Sequence, residues 1–396
     1  MKNKPFRCRV LAASELDALE GEWAMLGDAS VRERARSASF VLLKLYGAKA
    51  LSAPVEAFLK SYPTGSFVWD LHDDVALLGG PRILIEELCA RLNSAGHAAG
   101  REITAAVDNH ARADYVLRLP GGTLALSGRP KVMGVLNVTP DSFSDGGQHA
   151  TTDAAIAHGL RMAEEGADLI DVGGESTRPG AQAVPADEEI RRVAPVIEEL
   201  SRRIRVPMSI DTSKSGVARR ALDSGAGIVN DVTALRGDAG LAPLLAERGV
   251  PVILMHMQGE PRTMQEAPHY DDLMGEVAAL LLAQIDVACA AGIARDQIVV
   301  DPGIGFGKLL EHNLEILRRL PELRSLGCPI LVGASRKSTI GQITGRPADQ
   351  RLCGSLAAAA AAAMNGAHIV RVHDVAETIE VLKVCESIRK GKPVCR

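Results

Sequence analysis

The sequence predicts a (β/α)8 TIM barrel preceded by a small α+β module, and three observations carry that reading. Short apolar runs alternate eight times with helical stretches between residues 129 and 396, the count and size of such a barrel. No dinucleotide-type G-x-G-x-x-G follows the first of those runs, which argues against the competing doubly wound sheet. Nine of the twelve aromatic residues, with both tryptophans (Trp23 and Trp69), precede Arg129, so the leading segment has material for its own core. The division this suggests is 1–113 for the module and 114–396 for the barrel, the latter opening with a hairpin over 114–128.

Taken in order, residues 1–36 are rich in Glu and Arg and helical in tendency. From 38 to 110 the pattern reads β-α-β-β-α-β, with strands at 40–46, 67–71, 75–78 and 103–107 and an amphipathic helix at 83–93. That order is ferredoxin-like. No phosphate loop, metal spacing or nucleophile stands out there, so the module reads as a structural or regulatory appendage. Residues 115–119 and 123–126 flank Pro120-Gly121-Gly122 and read as the hairpin. Barrel strands follow at 132–138, 169–172, 207–210, 227–229, 252–255, 298–300, 330–332 and 369–372. Helices lie between them at 152–165, 187–203, 272–291 and 352–364.

Composition narrows the class. Hydrophobic residues make up 46% of the chain, and the net charge of −4 offers no basic stripe for nucleic acid. The seven cysteines are scattered without C-x-x-C or His-paired zinc spacing, as expected of small buried hydrophobes in a reducing compartment. The N-terminus shows no apolar secretory segment, so a cytoplasmic location is expected. The alanine run 357–363 is too short to span a bilayer and reads as a tightly packed helix. No membrane partner is expected.

In a barrel of this kind chemistry sits at the C-terminal ends of the strands. Those ends carry Asn137, Gly173 to Gly180, Asp211, Asn230-Asp231, Met255-His256, Asp301, Ser335-Arg336-Lys337 and Arg371-Val372-His373. The turn Asp301-Pro302-Gly303-Ile304-Gly305-Phe306-Gly307-Lys308 alternates glycines, which admit positive φ and close backbone approach. One strand-end acid alone serves equally as a turn cap; polar groups at nearly every end describe one site. Arg371 offers a planar fork and His373 lies two residues on, a pair suited to an anion. His256 reads as a hydrogen-bonded strand-end histidine. Beyond Arg129 the only aromatics are Phe143, Tyr270 and Phe306, and two of them fall inside these motifs, where they read as flat surfaces for flat substrates.

The segments Met133-Gly134-Val135-Leu136-Asn137-Val138-Thr139-Pro140-Asp141-Ser142-Phe143-Ser144-Asp145-Gly146-Gly147 and Asp171-Val172-Gly173-Gly174-Glu175-Ser176-Thr177-Arg178-Pro179-Gly180 resemble the two signatures of the dihydropteroate synthase family. Ser209-Ile210-Asp211-Thr212, Asp301 to Lys308, Ser335-Arg336-Lys337 and Arg371-Val372-His373 match the family pattern in order and spacing. The resemblance covers about 129–396. It implies displacement of diphosphate from 6-hydroxymethyl-7,8-dihydropterin diphosphate by 4-aminobenzoate, with Mg2+. It assigns the pterin to Asp211, Asn230, Met255, Asp301, Phe306, Gly333 and Lys337, and the diphosphate to Asn137, Arg371 and His373, with Asn137 also reaching Mg2+. Asp211, Asp301, Lys337, Arg371 and His373 are the implied catalytic set. Phe143, Pro179 and Ser338 are assigned to 4-aminobenzoate, with Asp145, Thr177 and Arg178 ordering the loops 139–150 and 174–186 over it. Sulfonamides, which resemble 4-aminobenzoate, are implied competitors. The likeness also implies a homodimer through the last barrel helices, although a core role for the alanine-rich helix fits equally. Two alternatives share the barrel: a methyltetrahydrofolate-dependent methyltransferase, which needs neither Ser335-Arg336-Lys337 nor the Arg371/His373 pair, and an inert pterin-binding paralogue.

Overall fold

The computed structural model describes residues 7–11, 40–63, 65–139, 147–176, 183–259 and 263–393, with side chains omitted for 147–151. Two compact units emerge: residues 1–112 with 318–327, and residues 113–317 with 328–396.

The first unit is a four-stranded antiparallel sheet, β1 (Arg7–Val10), β2 (Phe40–Tyr46), β3 (Val68–His72) and β4 (Val75–Pro81), in the order β1-β2-β4-β3. Helices α1 (Ser52–Leu59), α2 (Arg82–Ser94) and α3 (Ala99–Ala111) accompany it. Leu43, Leu45, Val55, Phe58, Leu78, Ile85, Leu88 and Ile103 form its core. Two expectations are corrected. Residues 103–107 are helical, not a strand: Ile103, Ala106 and Val107 are buried at the i, i+3, i+4 spacing of one helix face. Residues 7–10, read within a helical stretch, form β1, which pairs antiparallel with β2 from Arg7↔Tyr46 to Val10↔Leu43. The edge place of a ferredoxin-like sheet is therefore filled by a strand that precedes the other three. The rest of the expected N-terminal helix, with Trp23, lies outside the described residues.

Residues 318–327 complete this unit. Glu322 is fully buried between Arg9 (Nη1 to Oε2, 2.9 Å) and Arg319 (Nε to Oε1, 2.8 Å). The Val10 N–H donates to Ser325 Oγ at 3.0 Å.

The second unit is the barrel. Its strands are β7 (Lys131–Asn137), β8 (Leu169–Gly173), β9 (Met208–Asp211), β10 (Ile228–Asp231), β11 (Val252–Met255), β12 (Ile298–Asp301), β13 (Leu331–Val332) and β14 (Ile369–Val372). They lie parallel in sequential order, β14 pairs back onto β7, and a parallel bridge between Val300 and Ile330 joins β12 to the β13 side. The helices are α4 (Gly147–Glu164), α5 (Ala186–Arg203), α6 (Ser215–Asp223), α7 (Leu241–Arg248), α8 (Leu273–Ala290), α9 (Leu310–Arg318), α10 (Ser338–Thr344), α11 (Leu352–Met364) and α12 (Val375–Lys390). By length and composition α8 could cross a membrane, but here its Val277, Leu281, Ile285 and Ala288 are buried. In α11 the buried residues include Ala359, Ala362 and Ala363, side chains small enough for close helix approach.

The strand period of two decides what fills the barrel. The hairpin β5 (Tyr115–Leu119) and β6 (Gly122–Leu126) packs Tyr115, Leu117 and Leu126 against Met133, Leu169, Ile228, Ile253, Val299, Leu331 and Ile369. Those seven are inward residues near the starts of seven strands, so the N-terminal end of the barrel is a dry plug. Two residues further along the same strands stand Val135, Asp171, Asn230, Met255, Asp301, Gly333 and Arg371. On four of the seven strands, at Asp171, Asn230, Asp301 and Arg371, the inward face thus turns from apolar to polar within one step.

Candidate active site

Register brings the strand-end residues to one level. Asn137 pairs with Gly173, Gly173 with Asp211 and Asp211 with Asn230 across β7 to β10. Met255 pairs with Asp301 across β11 and β12. Asn230 points inward while the next residue, Asp231, turns outward and caps its own loop. The Asp231 carboxylate accepts from Thr233 N–H, Thr233 Oγ and Leu235 N–H, where Ala234 and Leu235 take positive φ.

Beneath these residues lies Asp171, fully buried in the middle of β8. It accepts from Ser209 Oγ (2.5 Å), Asn230 Nδ2 (3.0 Å) and Arg371 Nε (2.6 Å). The Arg371 Nη2 donates to Asp211 Oδ2 at 2.8 Å. Arg371 thus bridges two carboxylates, and its Nη1 has no protein partner among the described residues. Burial opposes the guanidinium charge, but the two carboxylates prevail and hold its pKa above the ordinary value. Burial pushes Asp211 up to about 7, with Arg371 pulling it down and the Asp171 charge adding to the rise. Its Oδ1 is buried without a hydrogen-bond partner among the described residues. A buried acceptor of this kind costs about 1–3 kcal/mol if left unsatisfied.

Opposite, Asp301 uses Oδ1 to accept the Gly303 N–H at 2.7 Å. Burial raises its pKa, against the nearby Lys337 and Lys308 charges. The Lys337 ammonium donates to the Ile304 carbonyl and lies 4.6 Å from the centre of the Phe306 ring. Burial lowers it to about 8, with Asp301 resisting. A Cβ at Gly333 would stand 3.6 Å from Arg371 Cβ and 3.9 Å from Lys337 Nζ, so this glycine leaves open the gap between the two cations. Met255 packs with Val232, Met257 and Met264, and Phe306 lies against that cluster.

The glycine-rich turn is held from below. Lys308 Nζ donates to His256 Nδ1 and to the Phe306 carbonyl, each at 2.9 Å. Burial lowers both groups, Lys308 to about 7 and His256 well below its usual value. His256 therefore acts as a neutral structural acceptor. A Cβ at Gly303 would come within 1.9 Å of the His256 carbonyl oxygen, so only glycine fits there.

His373 follows β14, its Nδ1 3.0 Å from Ser335 Oγ. Arg336, at φ +56°, pairs with Asp374 and so turns away from the acid cluster. Ser338 is exposed at the first turn of α10. The other residues named from sequence (Phe143, Asp145, Thr177, Arg178 and Pro179) lie outside the described residues. Asp171 and Ser209 escaped the sequence reading as site residues. The signal for the first was an acid inside the apolar run Leu169-Ile170-Asp171-Val172.

The arrangement is a barrel mouth lined by acceptors, Asp211 Oδ1 and the Asn230 oxygen left once its Nδ2 is spent on Asp171 facing Asp301 Oδ2, with the Lys337 donor beside Asp301. An apolar wall of Met255 and Phe306 and an arginine with one free corner complete it. Such a site fits a flat, donor-rich heterocycle attached to an anion.

The chain belongs to the pterin-binding enzyme family, whose model matches residues 133–373. Its relatives include the dihydropteroate synthases of Escherichia coli strain K12 (52% identical over 272 residues, covering 69% of this chain and 96% of that one) and of a Synechocystis species (46% identical, 66% and 90%). Among solved structures, dihydropteroate synthase from Yersinia pestis with a sulfonamide drug complex aligns with TM-score 0.67 and 50% identity, over 69% of this chain and 99% of that one. That from Xanthomonas albilineans in complex with 7,8-dihydropteroate aligns with TM-score 0.63 and 49% identity, over 69% and 98%.

Proposed function

We propose that this chain joins 6-hydroxymethyl-7,8-dihydropterin diphosphate to 4-aminobenzoate, forming 7,8-dihydropteroate and releasing diphosphate, a step in folate biosynthesis. The observation that carries the reading is the acceptor set Asp211 Oδ1, Asn230 and Asp301, with the Lys337 ammonium beside Asp301. A 2-amino-4-oxopterin edge presents N–H groups to three acceptors and a carbonyl to a lysine. Phe306 and Met255 cover its faces, and Gly333 leaves room for its rim.

In this reading the diphosphate is bound by Arg371 Nη1, His373 and the Asn137 amide. Among the described residues no three His, Cys, Asp or Glu side chains converge to hold a metal. Asn137 Oδ1 and Asp211 Oδ2 both approach the side-chain-free position beside Gly173, at 3.8 and 3.9 Å from where its Cβ would be. Hard oxygens around a small gap suit Mg2+ carried largely by the substrate's own oxygens, with Asn137 as the protein donor. Bound there, Mg2+ supplies charge neutralisation for the departing diphosphate.

The carbon–oxygen bond to diphosphate breaks first, and the electron pair leaves with the diphosphate held by Arg371 and His373. The resulting cation spreads into the pterin ring, where the buried Asp211 and Asp301 carboxylates stabilise it. The amine nitrogen of 4-aminobenzoate then forms the new bond and gives up its proton to solvent or diphosphate. Phe143, Pro179 and Ser338 are assigned to 4-aminobenzoate, with Asp145, Thr177 and Arg178 ordering the loops around it; sulfonamides compete there. The active unit is a homodimer. Exposed Met364 on α11 and Val384 and Ile388 on α12 support an interface on the last helices.

The test is diphosphate release from purified chain, with Lys337→Ala as control. Release that needs both substrates and Mg2+ and falls at least about a hundredfold in the variant is expected. Tight pterin binding without turnover in the unaltered chain would overturn the reading in favour of an inert pterin binder.

A further inference from the structure

Arg336, the residue before Lys337, stands at φ +56°, a left-handed conformation unfavourable to any residue with a Cβ. Such a backbone persists where its surroundings over-determine it, and the N–H, carbonyl and guanidinium of Arg336 are all engaged. The N–H donates to Ser355 Oγ at 2.9 Å, and the guanidinium pairs with Asp374. The carbonyl accepts from Arg351 Nη1 at 3.0 Å. The same nitrogen donates to the Lys337 carbonyl at 3.2 Å, and Arg351 Nε to the Arg346 carbonyl at 2.8 Å. One guanidinium therefore joins the residues just ahead of α10 to those just past it. Ser355, one turn into α11, donates its hydroxyl proton to the Arg351 carbonyl at 2.7 Å, which leaves its oxygen to accept from Arg336. The middle of α10 makes room for this arrangement. Gly341 is the fourth of its seven residues, a place where glycine weakens a helix. A Cβ there would stand 2.5 Å from Arg351 Cζ and 2.8 Å from its Nε, so the guanidinium occupies the space of the missing side chain.

We infer that Arg351 is a positioning residue for Lys337: by fixing the carbonyls of Arg336 and Lys337 it sets the direction from which the lysine side chain enters the pterin pocket. This rests on the proposed reaction, in which the Lys337 ammonium meets the pterin. That ammonium reaches the Ile304 carbonyl and lies 4.6 Å from the Phe306 ring centre, so its placement depends on where its main chain leaves the turn. The hydrogen bonds of Arg351 end on three main-chain carbonyls, none of them assigned to a substrate, so its effect on the pterin passes through Lys337. A planar fork suits the task, because its nitrogens donate in fixed directions to both ends of one short helix, which a single ammonium cannot do.

The test is calorimetric binding of 6-hydroxymethyl-7,8-dihydropterin diphosphate to the full chain carrying Arg351→Ala or Gly341→Ala, each alone and combined with Lys337→Ala. Arg351→Ala raises the dissociation constant about tenfold, part of what a hydrogen bond to a charged group is worth. Gly341→Ala favours the helix but displaces the guanidinium, and it weakens binding in the same direction. Arg351→Lys keeps the charge without the fork and leaves most of the loss. Beside Lys337→Ala, either substitution adds less than about twofold, because no ammonium remains to be placed. A purely structural role would instead give losses of full size in that background, and such a result would overturn the inference. Gly341→Ala binding as tightly as the unaltered chain would overturn it as well. Denaturant unfolding checks that each variant folds; where Arg351→Ala does not, Gly341→Ala carries the same cycle. Pterin binding untouched by Lys337→Ala itself would refute the pterin reading of the site. Hydrogen exchange at the Arg336 amide then decides the clamp: faster exchange in Arg351→Ala supports it, and unchanged exchange overturns it.

Discussion

Replacing Asp171 by asparagine tests whether the cluster beneath the pocket does what its geometry suggests. The side chain is isosteric, so packing is retained and the lost quantity is one buried negative charge. Three hydrogen bonds meet that carboxylate, from Ser209, Asn230 and Arg371. An asparagine oxygen left facing Asn230 and Arg371 keeps both bonds, the one from the Arg371 guanidinium now ending on a neutral acceptor, and the Ser209 hydroxyl reorients to accept from the new amide. The charge assistance to Arg371 is gone, at about 1.5–3 kcal/mol for a bond to a charged group. Full rupture of a buried pair costs about 3–5 kcal/mol, but Arg371 retains Asp211 at 2.8 Å. The expected destabilisation is about 2–4 kcal/mol. Asp211 is held up partly by the Asp171 charge and held down by Arg371. Removing the first and leaving Arg371 to Asp211 alone both lower the Asp211 pKa from about 7. Denaturant unfolding of the ligand-free chain measures the first effect. Calorimetric pterin binding across neutrality measures the second, as an acid limb displaced to lower pH. A stability change below about 1 kcal/mol with the acid limb unmoved would refute the reasoning.

Turnover should follow a narrow bell, rising as Asp211 ionises near 7 and falling as Lys337 loses its proton near 8. Because the folded pKa of Asp211 is raised, its contribution to ligand-free stability is present at acid pH and lost as pH rises through about 7, opposite to the trend in activity; pH-resolved kcat/KM and thermal unfolding check the two signs. Gly333→Ala should fold normally, since the new methyl meets only ordinary contacts at 3.6–3.9 Å. It should nonetheless weaken pterin binding about tenfold or more by filling the gap between Arg371 and Lys337, measurable by calorimetry. Glu322→Gln should destabilise the first unit by about 3–5 kcal/mol, because Arg9 and Arg319 lose their buried counter-charge; denaturant unfolding reads the change.

What could be read from the chain alone follows from the range of the physics involved. Asp211, Asn230 and Asp301 each end an apolar strand, so polarity breaking a period-two run revealed them locally, and the barrel order placed them together. Asp171 breaks a run just as visibly, yet its partners lie 38, 59 and 200 residues away, and only folding shows that one carboxylate serves all three. Arg371 illustrates the same limit from the other side. A planar fork at a strand end reads as an anion site, but that reading omits the carboxylates already engaging two of its nitrogens. The diphosphate it is proposed to hold must share the cation with Asp171 and Asp211. Errors in the first unit have a different origin. Ile103 to Val107 is short and apolar enough for either period, and burial at i, i+3 and i+4 decided for the helix. β1 becomes a strand because β2 offers a free edge, a tertiary reason that nothing within four residues of Arg7–Val10 records.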